Sequence, residues 1–247
     1  MSPRLKLTVA YDGAAFAGWQ SQAHGNTAQD QLERALHKIT GQRIRLHGAG
    51  RTDTGVHALA QCAHVDLPDR RLSAERLGRA LNAILPPSIR VLDCRCVSEN
   101  FHARFSAIGK LYRYRIWAGP VLPPHELGRA WHIPLPLDLD LLSAAGENFV
   151  GTHDFAAFAA NRGGKEKDTT RTIRSVRVRK SGPRVRIEVA GDGFLYKMVR
   201  LMVGAMVRVT LDKMDPAEIA RRLNSGRADG FRYVAPAAGL YLAKIWY

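Results

Sequence analysis

The chain has 247 residues, 46% of them hydrophobic, enough for one large or two ordinary domains with real cores. Its 37 Lys and Arg against 22 Asp and Glu leave a formal net charge of +15, a surplus that points to an acidic partner, nucleic acid first and an anionic membrane second. Three cysteines, Cys62, Cys94 and Cys96, are too few for a disulfide framework and carry no metal-knuckle spacing; with no apolar signal core after Met1 and no run of membrane-spanning length, a reducing, cytoplasmic setting without a membrane is expected.

In chain order, Leu5–Ala10 is predicted as a strand that stops at Tyr11-Asp12-Gly13. Thr27 is the predicted cap of a helix through Lys38, with Leu32, Ala35 and Leu36 on one face. Ile44–His47 reads as a second strand ending at Gly48, and Ala60–Leu67 as a third. Residues 73–83 suit a helix stopped before Pro86-Pro87, and Ile89–Cys94 a short strand. This β–α–β–β–α–β order suits an α+β module of ferredoxin-like type.

A boundary near Ser106–Lys110 divides the chain into residues 1–108 and 109–247. Beyond it, Leu111–Trp117 is a strand with Tyr112, Tyr114 and Ile116 on one face and Arg113, Arg115 and Trp117 on the other. Residues 138–149 suit a helix. Thr172–Lys180 and Arg184–Val189 form a hairpin across Ser181-Gly182-Pro183, and Phe194–Val209 is one long helix. The polar, charged segment Asn161–Asp168 is the expected mobile element. The second half thus repeats the α+β theme.

The segment Gly48–Ala58 places a carboxylate, Asp53, two residues after a cation, Arg51, among three glycines. An arginine beside an Asp favours the ionised form, and an ionised, positioned Asp serves as nucleophile or base. A dinucleotide fingerprint is excluded, because the third glycine is missing and no helix pattern follows. Asp53-Thr54-Gly55 is also the tripeptide of aspartic proteases, which need a second such carboxylate. The remaining readings are a lone Asp acting on nucleic acid and a turn in which Asp53 caps backbone amides. His57 and His64 lack partners at metal-ligand spacing and are expected to be packed or exposed.

Phe101-His102-Ala103-Arg104-Phe105 and Tyr112-Arg113-Tyr114-Arg115 interleave cations with aromatics. That pattern suits RNA, or a strand with a basic solvent face. Of the two tyrosines, the one nearer the strand start is the candidate to line a cleft. Arg171, Arg174, Arg177, Arg179, Lys180, Arg184 and Arg186 read as an RNA track or as a solvated sheet face. Arg200 either reaches a carboxylate in a cleft or is solvated.

Together these residues resemble the tRNA pseudouridine synthase A family. The resemblance rests on Tyr11-Asp12-Gly13 with Phe16-Ala17-Gly18-Trp19-Gln20, Gly50-Arg51-Thr52-Asp53 with Gly55-Val56-His57-Ala58, and Phe101-His102-Ala103-Arg104-Phe105-Ser106-Ala107 with Tyr112-Arg113-Tyr114. It continues in Met198-Val199-Arg200 with Val203-Gly204 and in Gly239-Leu240-Tyr241-Leu242. Ala28-Gln29-Asp30 departs from the usual Val-Gln-Glu.

The resemblance implies two ferredoxin-like halves whose antiparallel sheets flank a central, positively charged active-site cleft. It implies isomerisation of uridine to pseudouridine at positions 38, 39 and 40 of the tRNA anticodon stem-loop, by a homodimer that uses no cofactor and no metal. By position, Asp53 is the nucleophile, Tyr112 packs on the target base, Arg200 pairs with Asp53, and Arg51 helps extrude the nucleotide. His102 and Arg104 are further candidates for contact with substrate. A non-catalytic RNA-binding module and a dimeric aspartic protease are the rival readings.

Overall fold

The structure, a computed structural model, describes residues 3–23, 25–68, 72–160, 168–226 and 233–247. It divides into two compact units, Met1–Ile108 with Tyr241–Tyr247, and Gly109–Leu240. Tyr241–Tyr247 therefore goes with the first unit, although the sequence places it in the second half. The segment expected to be mobile lies outside the described residues, apart from Asp168.

In the first unit, β1 (Arg4–Tyr11) buries Leu5, Leu7, Val9 and Tyr11 on alternate positions. α1 (Ala28–Thr40) starts at Thr27 in a full capping box. The Thr27 hydroxyl accepts the Asp30 N–H, and the Asp30 carboxylate accepts the Thr27 N–H. The departure at Ala28-Gln29-Asp30 thus keeps the cap with a shorter acid. β2 (His47–Gly48) is shorter than predicted. The Leu46 N–H donates to Glu33 Oε1 at 2.9 Å and the Leu46 carbonyl accepts from Gln29 Nε2 at 3.1 Å, so side chains of α1 take the backbone groups that a longer ladder would use.

β3 (His57–Asp66) runs antiparallel to β1, and α2 (Ala74–Ile84) follows a Ser73 cap and buries Leu77 and Leu81. β4 (Ile89–Val97) pairs antiparallel with the other edge of β1. β2 pairs with β3 at Ala63 and His64. The resulting order, β4-β1-β3-β2, is that of a ferredoxin-like module.

The second unit opens with β5 (Gly109–Ala118), on which the short β6 (Trp131–Ile133) lies in parallel. α3 (Leu139–Glu147) is capped by Asp138. β7 (Gly151–Asp154), β8 (Thr170–Ser181) and β9 (Arg184–Gly191) complete an antiparallel sheet in the order β5-β9-β8-β7. α4 (Met198–Thr210) starts four residues later than predicted, because Lys197 takes a left-handed conformation, φ 59°, and breaks the helical run from Phe194. Its apolar rows are buried almost all round. α5 (Ala217–Ser225) follows. The last strand, β10 (Leu240–Trp246), returns to the first unit, where Tyr241 and Leu242 pair in parallel with His57 and Ala58 of β3.

Candidate active site

Asp53 lies half-buried on the loop that joins β2 to β3. The backbone on both sides of it is fixed from separate parts of the chain. The Trp19 N–H donates to the Thr52 carbonyl at 3.1 Å, and the Val56 N–H closes a turn on the Asp53 carbonyl at 3.1 Å. The Tyr11 hydroxyl and Thr52 Oγ1 share a buried hydrogen bond of 2.7 Å. Gln61 Nε2 donates to the Gly50 carbonyl at 2.8 Å.

The tyrosine and tryptophan of this cradle are themselves buried and stacked, with ring centroids 5.9 Å apart at 26°. Gly18 sits at φ +92° and faces the Thr52 carbonyl so closely that a Cβ there would stand 2.7 Å from the oxygen. Only glycine combines that backbone conformation with that approach. The Tyr11–Trp19 segment, which begins with the predicted strand stop Tyr11-Asp12-Gly13, is thus the seat of the Asp53 loop. Arg51 is exposed on the same loop.

His57 is buried and packed, as expected. Its Nδ1 accepts the Gly13 N–H at 3.0 Å, and its ring stacks on Tyr241 at 4.5 Å and 15°. His64 is buried too. Burial, with His102 and His47 beside it, pushes its pKa down to about 4, so the ring is neutral and its Nδ1 accepts the Ala103 N–H at 3.1 Å.

Of the two further candidates, His102 spends its Nδ1 on its own loop, accepting the N–H groups of Arg104 at 3.1 Å and Phe105 at 3.2 Å. Arg104 is exposed. The Tyr247 hydroxyl donates to the Ala103 carbonyl at 2.8 Å and so ties this loop to the C-terminal strand.

In the second unit, Tyr112 stands opposite Val189 on β5 and meets Phe194 edge-on, with centroids 5.0 Å apart at 81°. It remains 8% exposed, whereas Tyr114 is fully buried and donates its hydroxyl to the Pro236 carbonyl at 2.7 Å. Burial drives the Tyr114 pKa well above the usual value. The tyrosine nearer the strand start is therefore the one with access to solvent.

Arg200 occupies the first turn of α4 and is clasped to Ala235 in both directions. Its Nε donates to the Ala235 carbonyl at 2.7 Å, and the Ala235 N–H donates to the Arg200 carbonyl at 3.1 Å. One turn on, a Cβ at Gly204 would stand 2.2 Å from the Tyr233 carbonyl oxygen. The Met198–Gly204 signature thus seats the chain around residues 233–236, a role the helical periodicity does not display.

The basic strands are arranged as the alternation predicts, with Val185, Ile187 and Val189 buried. Arg113 pairs with Glu188 at 2.8 Å, and Arg184 pairs with Glu126 at 3.0 Å. Arg115, Arg186 and Arg179 stand side by side across β5, β9 and β8. Among the described residues, no group of three or more His, Cys, Asp or Glu could hold a metal ion, and no helix is long and apolar enough to cross a membrane.

The sequence-predicted site residues therefore fall into three places. Arg51 and Asp53 share one loop of the first unit, His102 and Arg104 another, and Tyr112 and Arg200 belong to the second unit.

A family model described as tRNA pseudouridine synthase matches residues 7–106 and 145–247. The chain is 46% identical to the tRNA pseudouridine synthase A of Akkermansia muciniphila, over 99% of this chain and 95% of that one. It is 45% identical to the protein of the same name from Methylacidiphilum infernorum, over 98% and 94% of the two chains. With that of Latilactobacillus sakei it shares 40% identity over the whole of both.

Proposed function

The chain belongs to the tRNA pseudouridine synthase family, and from that premise we propose that it isomerises uridine to pseudouridine at positions 38, 39 and 40 of the tRNA anticodon stem-loop, with Asp53 as the nucleophile. The observation that carries this reading is the clamp on the Asp53 loop. Three hydrogen bonds, from the Trp19 and Val56 N–H groups and from Gln61 Nε2, hold its backbone, and a fourth joins the Tyr11 hydroxyl to the Thr52 side chain. A carboxylate on so fixed a backbone is preorganised for attack.

The reaction conserves every atom of the nucleoside. The N1–C1′ bond breaks, the uracil turns, and C5 bonds to C1′. C5 loses its proton and N1 gains one, so no oxidant, reductant or group donor is consumed. A stacked base cannot make that turn, so the nucleotide must be flipped out, at a cost of a few kcal/mol that stacking in the site offsets. Tyr112 supplies that stacking face, held at its angle by Phe194. Arg200 pairs with Asp53 and fixes its aim. Arg51, exposed on the same loop, helps extrude the nucleotide. While the base is detached, stacking on Tyr112 holds it in place and keeps recombination effectively intramolecular. The working form is a cytoplasmic homodimer with tRNA lying across both subunits.

Mapping the modification tests this reading. Wild-type protein and an unmodified tRNA transcript, with no cofactor, should give carbodiimide-dependent primer-extension stops at 38–40. Asp53→Asn should bind the transcript and give none. Binding without any stop in the wild type would reduce the protein to an RNA-binding module.

A further inference from the structure

Phe105 is the most exposed large hydrophobic side chain among the described residues, with 77% of its surface open to solvent. Single exposed apolar residues are ordinary; the firmness with which this one is presented is not. The His102 N–H donates to Ser106 Oγ and the Ser106 N–H returns to the His102 carbonyl, both at 2.9 Å. His102 Nδ1 takes the N–H groups of Arg104 and Phe105, while His64 and Tyr247 anchor Ala103 from below.

The rings also form a column from the core to the surface. His47 and His64 stack at 5.0 Å, His102 lies 4.6 Å from the buried His64, and Phe105 lies 4.4 Å from His102. Beside the ring, the exposed Arg104 guanidinium stands 5.5 Å from its centroid.

We propose that Phe105 is a stacking platform for an unpaired base of the bound RNA, with Arg104 on an adjoining phosphate. His102 is then a positioning residue that acts through Phe105. This rests on the reading above that the substrate is tRNA. The chemistry favours RNA over an apolar protein surface. The ring's contacting neighbours are an imidazole and a guanidinium, in a chain of net charge +15. Every base has a face that an aromatic ring can meet without reading its sequence. The ordered loop adds no ordering cost on binding.

The test is the affinity of an anticodon stem-loop transcript for Phe105 variants, read with steady-state constants, thermal melting and oligomeric state. Phe105→Ala should weaken binding about tenfold or more, with the loss in KM rather than kcat and the melting temperature unmoved. Phe105→Trp should restore binding, and its added fluorescence should be quenched by the transcript. His102→Asn keeps an acceptor for the loop N–H groups and should retain affinity that His102→Ala loses.

Binding by Phe105→Ala within twofold of wild type would overturn the proposal. So would rescue by Phe105→Leu as complete as by Phe105→Trp, since that would mean simple apolar packing. Loss of self-association with RNA affinity unchanged would assign the ring to a protein interface and overturn it as well. Phe105-dependent binding by a wild-type protein that makes no pseudouridine would support the platform while removing the catalytic reading.

Discussion

Asp53 and Tyr112 divide the proposed chemistry between a charge and a face, and their substitutions should behave differently. If stacking is the main task of Tyr112, Tyr112→Phe keeps the ring and its edge-on contact with Phe194. It should retain pseudouridine formation within about tenfold of wild type. A loss as deep as that of Asp53→Asn in the same single-turnover assay would make the hydroxyl part of the chemistry.

His64 yields a second prediction at this scale. Its pKa falls from 6.5 in the unfolded chain to about 4 in the folded one. Between those values the unfolded chain binds a proton that the folded protein refuses. The stability present above pH 6.5 is therefore lost as pH falls toward 4. Urea unfolding at pH 7 and pH 5 should show that slope in wild type and a flatter one in His64→Gln; equal slopes would remove the assignment. Asp53 stands out in the sequence through Arg51 and the surrounding glycines. Its cradle does not, because Tyr11 and Thr52 meet across 41 positions, and no local pattern records such a contact.

Elements whose signals are local matched the sequence most closely. The α1 cap at Thr27, the α2 cap at Ser73, the alternation along β1 and the β8–β9 hairpin are each encoded within a few residues. The departures come from competition over longer range. β2 is cut short because Gln29 and Glu33 reach across from α1. α4 begins late because Lys197 adopts a left-handed turn that apolar periodicity does not reveal. The short β6 and β7 fall below what period counting detects.

The Asp53 loop is the element on which the proposed chemistry depends, and Gly18 is its most exacting neighbour. Gly18→Ala meets both a positive φ and the Thr52 carbonyl, so it should cost about 1–3 kcal/mol of stability. It should also lower kcat by about a hundredfold, since displacing a catalytic group by about an ångström has that effect. Equal activity and melting temperature in the variant would show that the Tyr11–Trp19 segment does not position the loop.

At the scale of the whole molecule, the sequence carried the α+β class and the family, but not the destination of the last strand. β10 joins β3 through Tyr241 and His57, and a parallel pairing between segments so distant in sequence leaves no trace in composition or period. The net charge acts at this scale as well. If the exposed arginines of the second unit and Arg104 meet phosphates, tRNA affinity should fall linearly on a log–log plot against salt. The slope should be about 0.7–0.9 per phosphate neutralised; an affinity indifferent to salt would contradict that placement.

The central claim is that Asp53 breaks and remakes the glycosidic bond, and the proton that leaves C5 reports it directly. Wild-type protein given a tRNA transcript labelled with tritium at uridine C5 should release tritium to water. Asp53→Asn should bind the same transcript and release none. Release by that variant at the wild-type rate would contradict the account.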